Sequence, residues 1–226
     1  MTPLLLTGAA LAGPWTLGVG GGVVKDLPDR ISAEETAGFD LGPSLVGHAR
    51  YALVDQLVDL RLSLELATGS GWDRLSWTEG SARFYDDDHW AMYTAGRVLL
   101  GPEVIVPTSP DPVVSPFFGV GVGPGWIGTF HSFTAATADL MDPAENDLDD
   151  KLNRDPHTSQ WVAVAGTHVG VRFGRRPGMA VEVEAGYTVS HVGAAPLQKT
   201  LESYEAAREP WTLNTFRLGL GVANSF

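Results

Sequence analysis

Residues Trp211 to Phe226 read WTLNTFRLGLGVANSF. Counted back from Phe226, one parity holds Asn224, Val222, Leu220, Leu218 and Phe216, and the other holds Gly221, Gly219 and Arg217. Side chains of a strand alternate between two faces, so one face here is apolar and ends on an aromatic ring, while the other carries glycines and an arginine. That is the reverse of what a soluble core strand at a chain end needs. The pattern predicts the closing strand of a membrane β-barrel, apolar outward and polar inward.

Working back from this strand, the same alternation recurs. Val181, Val183, Ala185 and Tyr187 oppose Glu182, Glu184 and Gly186, and a short turn through Arg175, Arg176, Pro177 and Gly178 joins them to the segment before. There Trp161, Ala163, Ala165, Thr167, Val169, Val171 and Phe173 oppose His168, Gly170 and Arg172. Phe118, Val120, Val122 and Trp126 alternate with Gly119, Gly121, Gly123 and Gly125, after a proline-rich connection from Gly101 to Pro116. Trp90, Met92, Thr94, Gly96 and Val98 oppose Ala91, Tyr93, Ala95 and Arg97. Trp15, Leu17, Val19, Gly21 and Val23 form the outward face of a first strand.

Residues 45 to 67 admit two periods. At 3.6 residues per turn, Ala49, Leu53, Leu57, Leu60 and Leu64 would line an amphipathic helix. At a period of two, Leu45, Gly47, Ala49, Tyr51 and Leu53 face one way and, after a turn at Asp55 and Gln56, so do Val58, Leu60, Leu62, Leu64 and Leu66. The second half alternates at every position, so the hairpin is the expectation. Eight strands follow, with long loops over 25–43, 69–89, 128–158 and 193–210 and shorter connections between. The expected fold is all-β, an eight-stranded antiparallel up-and-down transmembrane β-barrel with four long outer loops, three shorter periplasmic turns and both termini on the short-turn side.

Two sets of residues carry this reading. Aromatics on the apolar parity collect at strand ends as interfacial girdles would: Trp90, Trp126, Trp161 and Tyr187 toward the long loops, and Trp15, Tyr51, Phe118, Phe173 and Phe226 at the other end. The opposite parity carries Arg50, Asp59, Arg61, Glu65, Arg97, Arg172, Glu182, Glu184 and Arg217, with His48 and His168. An eight-stranded barrel has room inside for little beyond side chains, and buried charges must be paired, so these predict an interior ionic network.

Composition limits the alternatives. Without a long uncharged apolar segment the chain cannot cross a bilayer as helices, which leaves a barrel as the spanning form. No cysteine is present, which removes disulfides and thiolate metal sites. The four long loops carry −3, −3, −5 and −1, together the whole formal charge of −12, so the strands are neutral as a set and the loops acidic. An acidic surface disfavours nucleic acid as a partner. Residues 1–12 end in Ala10-Leu11-Ala12, which reads as a signal-peptidase pattern, but no basic residue precedes the apolar run. They are a partial signal peptide or an apolar lead-in, and 13–226 form a single barrel domain.

Few residues suggest chemistry. His131-Ser132 and Ser190-His191 lie near strand ends on the loop side, where a lipid-directed hydrolase could sit, but no hydrolase signature surrounds them. Asp147, Asp149 and Asp150 lack the glycine and terminal glutamate of an EF-hand loop. Asp86-Asp87-Asp88-His89 reads as surface charge, and Gly20-Gly21-Gly22 as barrel lining. No catalytic residue, metal or cofactor is expected.

The pattern over roughly 15–226, and the C-terminal strand ending in Phe226, resemble the transmembrane domain of outer membrane protein A and small barrels of its type. The resemblance implies a Gram-negative outer membrane, insertion by the barrel assembly machinery, lipid and lipopolysaccharide as surroundings, a monomer, and no cofactor. No periplasmic domain follows residue 226 in this sequence, so peptidoglycan anchoring is not implied. Three functions compete: a non-enzymatic structural or surface-interaction barrel, a lipid-modifying enzyme or small-solute conduit, and a soluble lipocalin-like binding barrel. The inward arginines argue against the last.

Overall fold

A computed structural model of the protein describes residues 15–27, 29–30, 36–39, 41–54, 57–79, 82–109, 112–132, 157–193, 195–196, 205–208 and 211–226, with side chains outside 29–39, 71–91, 131–132, 157 and 195–211. Eight long strands make up the fold: β1 (Trp15–Leu27), β2 (Gly42–Val54), β3 (Val58–Glu79), β4 (Ala82–Ile105), β5 (Val114–Ser132), β6 (His157–Phe173), β7 (Gly178–Val192) and β8 (Trp211–Ser225). Each pairs antiparallel with its neighbours in sequence, and β8 pairs with β1 from Ser225↔Thr16 to Asn214↔Leu27, so the sheet closes on itself. Closure satisfies both edges of every strand, which an open sheet cannot do.

The hairpin over 45–67 forms as its alternation requires. Arg50 pairs with Arg61 and His48 with Ser63, and the turn closes with the Leu57 amide donating to the Val54 carbonyl at 3.0 Å. Three predicted loops are shorter than the sequence suggests. Strand β1 runs on through Lys25, Asp26 and Leu27; β3 and β4 stay paired out to Glu79↔Ala82, so 69–89 is largely ladder; and the 101–116 connection shrinks because β4 continues to Ile105 and β5 begins at Val114. Charged and proline-containing stretches read as loops by composition, yet hydrogen bonding to an already placed neighbour carries the ladder through them. Short strands Thr36–Phe39 and Glu205–Arg208 pair with the outer part of β3, and Ala195–Pro196 with the second of these.

Parity sorts the side chains. Leu17, Val19, Leu45, Leu62, Leu64, Val98, Leu100, Val120, Val122, Val183, Leu218 and Leu220 are exposed on the outside, and Val171 is half-buried there. Inward positions are buried, and they divide along the barrel axis. Toward the short turns they are charged. Toward the long loops Tyr93, Ala95, Ile127, Val162, Val164, Val192 and Leu213 form an apolar cluster with Leu99 against it. The inward face is thus apolar toward the loops as well as charged below: β6 is apolar on both faces over Trp161–Ala165, and its inward Val162 and Val164 were not singled out by the sequence pattern.

Inward glycines make room for long neighbours. A Cβ at Gly119 would lie 2.5 Å from His168 Cε1 and 2.8 Å from the Pro102 carbonyl oxygen, whereas one at the outward-facing Gly47 would meet nothing within 4 Å. We expect Gly119→Ala to cost about 1–3 kcal/mol through overpacking, with Gly47→Ala near neutral. Urea unfolding midpoints measure both. An unchanged midpoint for Gly119→Ala would mean this wall has space that the contacts deny.

Candidate functional site: the charged interior

The residues with the greatest chemical potential lie inside the barrel. Glu103, on β4, is 1% exposed. Its carboxylate is met by Arg50 from β2 at 2.6 Å, Arg61 from β3 at 2.9 Å and His168 from β6 at 2.8 Å. Arg50 also donates to Glu182 of β7 at 2.7 Å, and the guanidinium stands 5.1 Å from the ring centre of Phe117. Arg172 of β6 holds the same Glu182 oxygen at 2.8 Å. His48 Nε2 lies between Arg50 Nη1 at 2.6 Å and Glu182 Oε2 at 3.3 Å.

Further toward the loops, Arg61 donates to Glu184 at 2.6 Å, and Arg217 of β8 pairs closely with the other Glu184 oxygen. Arg217 Nε is 3.8 Å from Glu65, which in turn accepts from Arg97 at 2.6 Å. Arg97 donates to the Thr215 hydroxyl at 2.8 Å, and Thr215 and Tyr93 both donate to Asp26, at 2.9 and 3.3 Å. At the opposite end Arg176, in the β6–β7 turn, holds Asp59 at 2.7 Å. Apart from this last pair, one connected set runs from Arg172 near the short turns to Tyr93 of the apolar cluster.

All nine interior residues expected from parity are buried: Arg50, Asp59, Arg61, Glu65, Arg97, Arg172, Glu182, Glu184 and Arg217. Eight share the connected set, and Asp59 pairs outside it. Parity reasoning missed Glu103, Asp26 and Arg176. Glu103 lay in a proline-flanked stretch read as connection, Asp26 in a stretch read as loop, and Arg176 reaches in from a turn. With them, six arginines face six carboxylates in place of five facing four. A neutral set is what a closed, poorly hydrated interior demands, since an unmatched buried ion costs several kcal/mol.

Of the aromatic set, Trp15, Tyr51, Phe118, Trp161, Phe173 and Phe226 are exposed on the outside, and Trp126 and Tyr187 are half-buried on the same face. Trp15 and Tyr51 meet edge to face at 5.0 Å. The Trp90 side chain lies outside the described residues, as do those of His131 and Ser132, the stretch Asp147–Asp150, and the side chains of Asp86 to His89. Ser190 points inward and His191 outward, so this adjacent pair does not share a proton. Gly20, Gly21 and Gly22 sit in the β1 ladder.

Among the described residues lie two small cavities, of about 30 and about 20 Å3. Each is room for one or two waters. The larger touches Arg61, Glu184, Arg217 and Thr188. We expect Glu103→Gln to cost about 3–5 kcal/mol, because it strips charge from a carboxylate shared by two buried arginines. Glu182→Gln should behave alike and recover in part when combined with Arg172→Met. Losses of only about 0–1 kcal/mol by urea unfolding in lipid vesicles would place these groups in contact with water.

No protein-family model and no curated protein matches the chain. Solved structures do. The outer membrane protein OprG of Pseudomonas aeruginosa matches over 95% of this chain and 98% of its own, at 10% identity and a TM-score of 0.50. Neisserial surface protein A matches over 94% and 97%, at 14% identity and 0.45. The outer membrane protease OmpT of Escherichia coli matches over 94% and 95%, at 9% identity and 0.41. At these identities the likeness is one of fold, the small closed antiparallel barrel.

Proposed function

We propose that the chain is a non-enzymatic outer-membrane barrel with a plugged, charge-paired interior, whose acidic loops serve structural or surface-interaction roles. One observation carries the reading: the barrel is turned inside out relative to a soluble protein. Leu64 is 56% exposed and Leu220 61%, while Arg50 and Glu103 are each 1% exposed. In water the exposed leucines and valines would drive association; in hydrocarbon they are at home, and the lumen is the one place left for charge. The outward aromatics at strand ends would lie at the two interfaces. Trp15 and Phe226 adjoin, the Phe226 amide donating to the Trp15 carbonyl at 3.0 Å, so both ends of the barrel segment lie on the short-turn side, periplasmic in this reading.

The competing functions have less support. The cavities are too small for a hydrated ion or a solute to pass. Ser190 and His191 face opposite ways. A soluble lipocalin-like barrel would need its apolar residues within, and here they lie mostly outside. Lipid, lipopolysaccharide and, during insertion, the assembly machinery are the partners that fit a monomeric barrel of this kind.

Expressed protein should fractionate with the outer membrane and shift in apparent mass on heating. In planar bilayers the purified monomer should give no steady conductance of porin size. Leu64→Arg and Leu220→Arg should each cost about 2–4 kcal/mol if the sites lie near the bilayer midplane. Arginine tolerated at both, or a stable large single-step conductance, would overturn the proposal.

A further inference from the structure

Among the strand side chains described, the outward face holds one permanent charge, Lys25 of β1. Every other ionic side chain of those strands points inward and is buried, as the set around Glu103 shows. Lys25 lies directly opposite Phe216 of β8, and Phe216 directly opposite Tyr187 of β7. Three side chains thus form a row across neighbouring strands on the outer surface: a cation, an exposed phenyl ring and a phenol. Above the row Tyr187 donates its hydroxyl to Asn214 Oδ1 at 3.1 Å, and one N–H of the Asn214 amide donates to the Thr212 carbonyl at 3.5 Å, which leaves the second N–H for a ligand. His191 is exposed further up β7.

Height locates the row. Lys25 is ten residues above Trp15, which at about 3.3 Å per residue and a tilt of roughly 40° puts it about 25 Å above the short-turn girdle. The apolar band of such barrels is also about 25 Å tall, so Lys25 stands where hydrocarbon gives way to headgroups. An ammonium there is attracted to lipid phosphate, and its methylene stem can lie along the apolar wall beneath.

We propose that Lys25, Phe216, Tyr187 and Asn214 form a docking site for a phosphorylated lipid headgroup of the leaflet on the long-loop side. This rests on the membrane reading above. Lys25 supplies the countercharge to the phosphate, Asn214 on the adjoining strand and Tyr187 roughly two strand spacings, about 10 Å, away supply neutral hydrogen-bonding groups, and Phe216 packs against the top of an acyl chain. In sequence the long loops carry a net negative charge, which repels lipid phosphate. Among the described side chains of the outer wall, Lys25 is the one whose sign is complementary.

The test uses the folded protein in phosphatidylcholine vesicles doped with a bis-phosphorylated glucosamine glycolipid or with its dephosphorylated counterpart. Lipid retained after gentle detergent extraction is counted by native mass spectrometry, and the heat-dependent gel shift reports insertion. Wild type and Lys25→Arg should retain the phosphorylated lipid, and Lys25→Gln should lose about fivefold, while all three insert equally. Lys25→Gln combined with Ser159→Lys, which moves the charge to the rim of β6, should not restore retention. Equal retention by Lys25→Gln, indifference to the phosphates, or rescue by Ser159→Lys would each overturn the site while leaving the barrel intact. Failure of wild type to insert would instead remove the membrane reading on which the site rests.

Discussion

Charge neutrality in a confined, nearly dry lumen is the constraint on which the structure depends, and Glu103 is where it is most severe. Eight strands enclose a space that side chains nearly fill. A carboxylate there can recruit little water, so Arg50, Arg61 and His168 from three other strands converge on it. Each of these arginines is also held by a second carboxylate, Glu182 or Glu184. Sharing ties strands far apart in sequence to one another. The network thereby sets which strands can sit across the lumen as well as how the charge is balanced.

The interior consequently has two regimes. The half toward the short turns is ionic, with His48 and His168 fitted against inward glycines and Phe117 packed beneath Arg50. The half toward the loops is apolar, closed by Tyr93, Ile127, Val162, Val164, Val192 and Leu213. Asp26 marks the border between them, 2% exposed, accepting from Tyr93 on the apolar side and Thr215 on the ionic side. The two cavities among the described residues are water-sized, about 30 and about 20 Å3.

The outside is organised by the opposite demand. Among the described strand side chains the ions lie in the lumen and the wall is apolar, so that Lys25 at its upper margin stands out. The long pairing of β3 with β4 carries ladder well past the ends of β1 and β7 and gathers the short strands Thr36–Phe39 and Glu205–Arg208 beside it. Such an extension gives the loop side ordered backbone on which polar, acidic sequence can be displayed.

How much of this was legible in one dimension follows from what parity can encode. Alternation in WTLNTFRLGLGVANSF decides which face of β8 is apolar, and the same count along the other strands places Arg50, Asp59, Arg61, Glu65, Arg97, Arg172, Glu182, Glu184 and Arg217 inside. Two-residue periodicity is a local property, so sequence determined it, along with the strand number and the acidic loops. Strand ends were less legible, because Lys25, Asp26, Gly101, Pro102 and Glu103 have loop-like composition and become strand only when a neighbour supplies hydrogen bonds. Partners across the lumen were not legible at all. That Glu103 meets Arg50 and His168, that Arg176 reaches Asp59 from a turn, and that Lys25 aligns with Phe216 and Tyr187 depend on barrel closure and register, which bring together residues up to 209 positions apart. Tertiary structure decided those, because the electrostatic cost of an unmatched ion is settled by what stands across the lumen and not by what adjoins it in the chain.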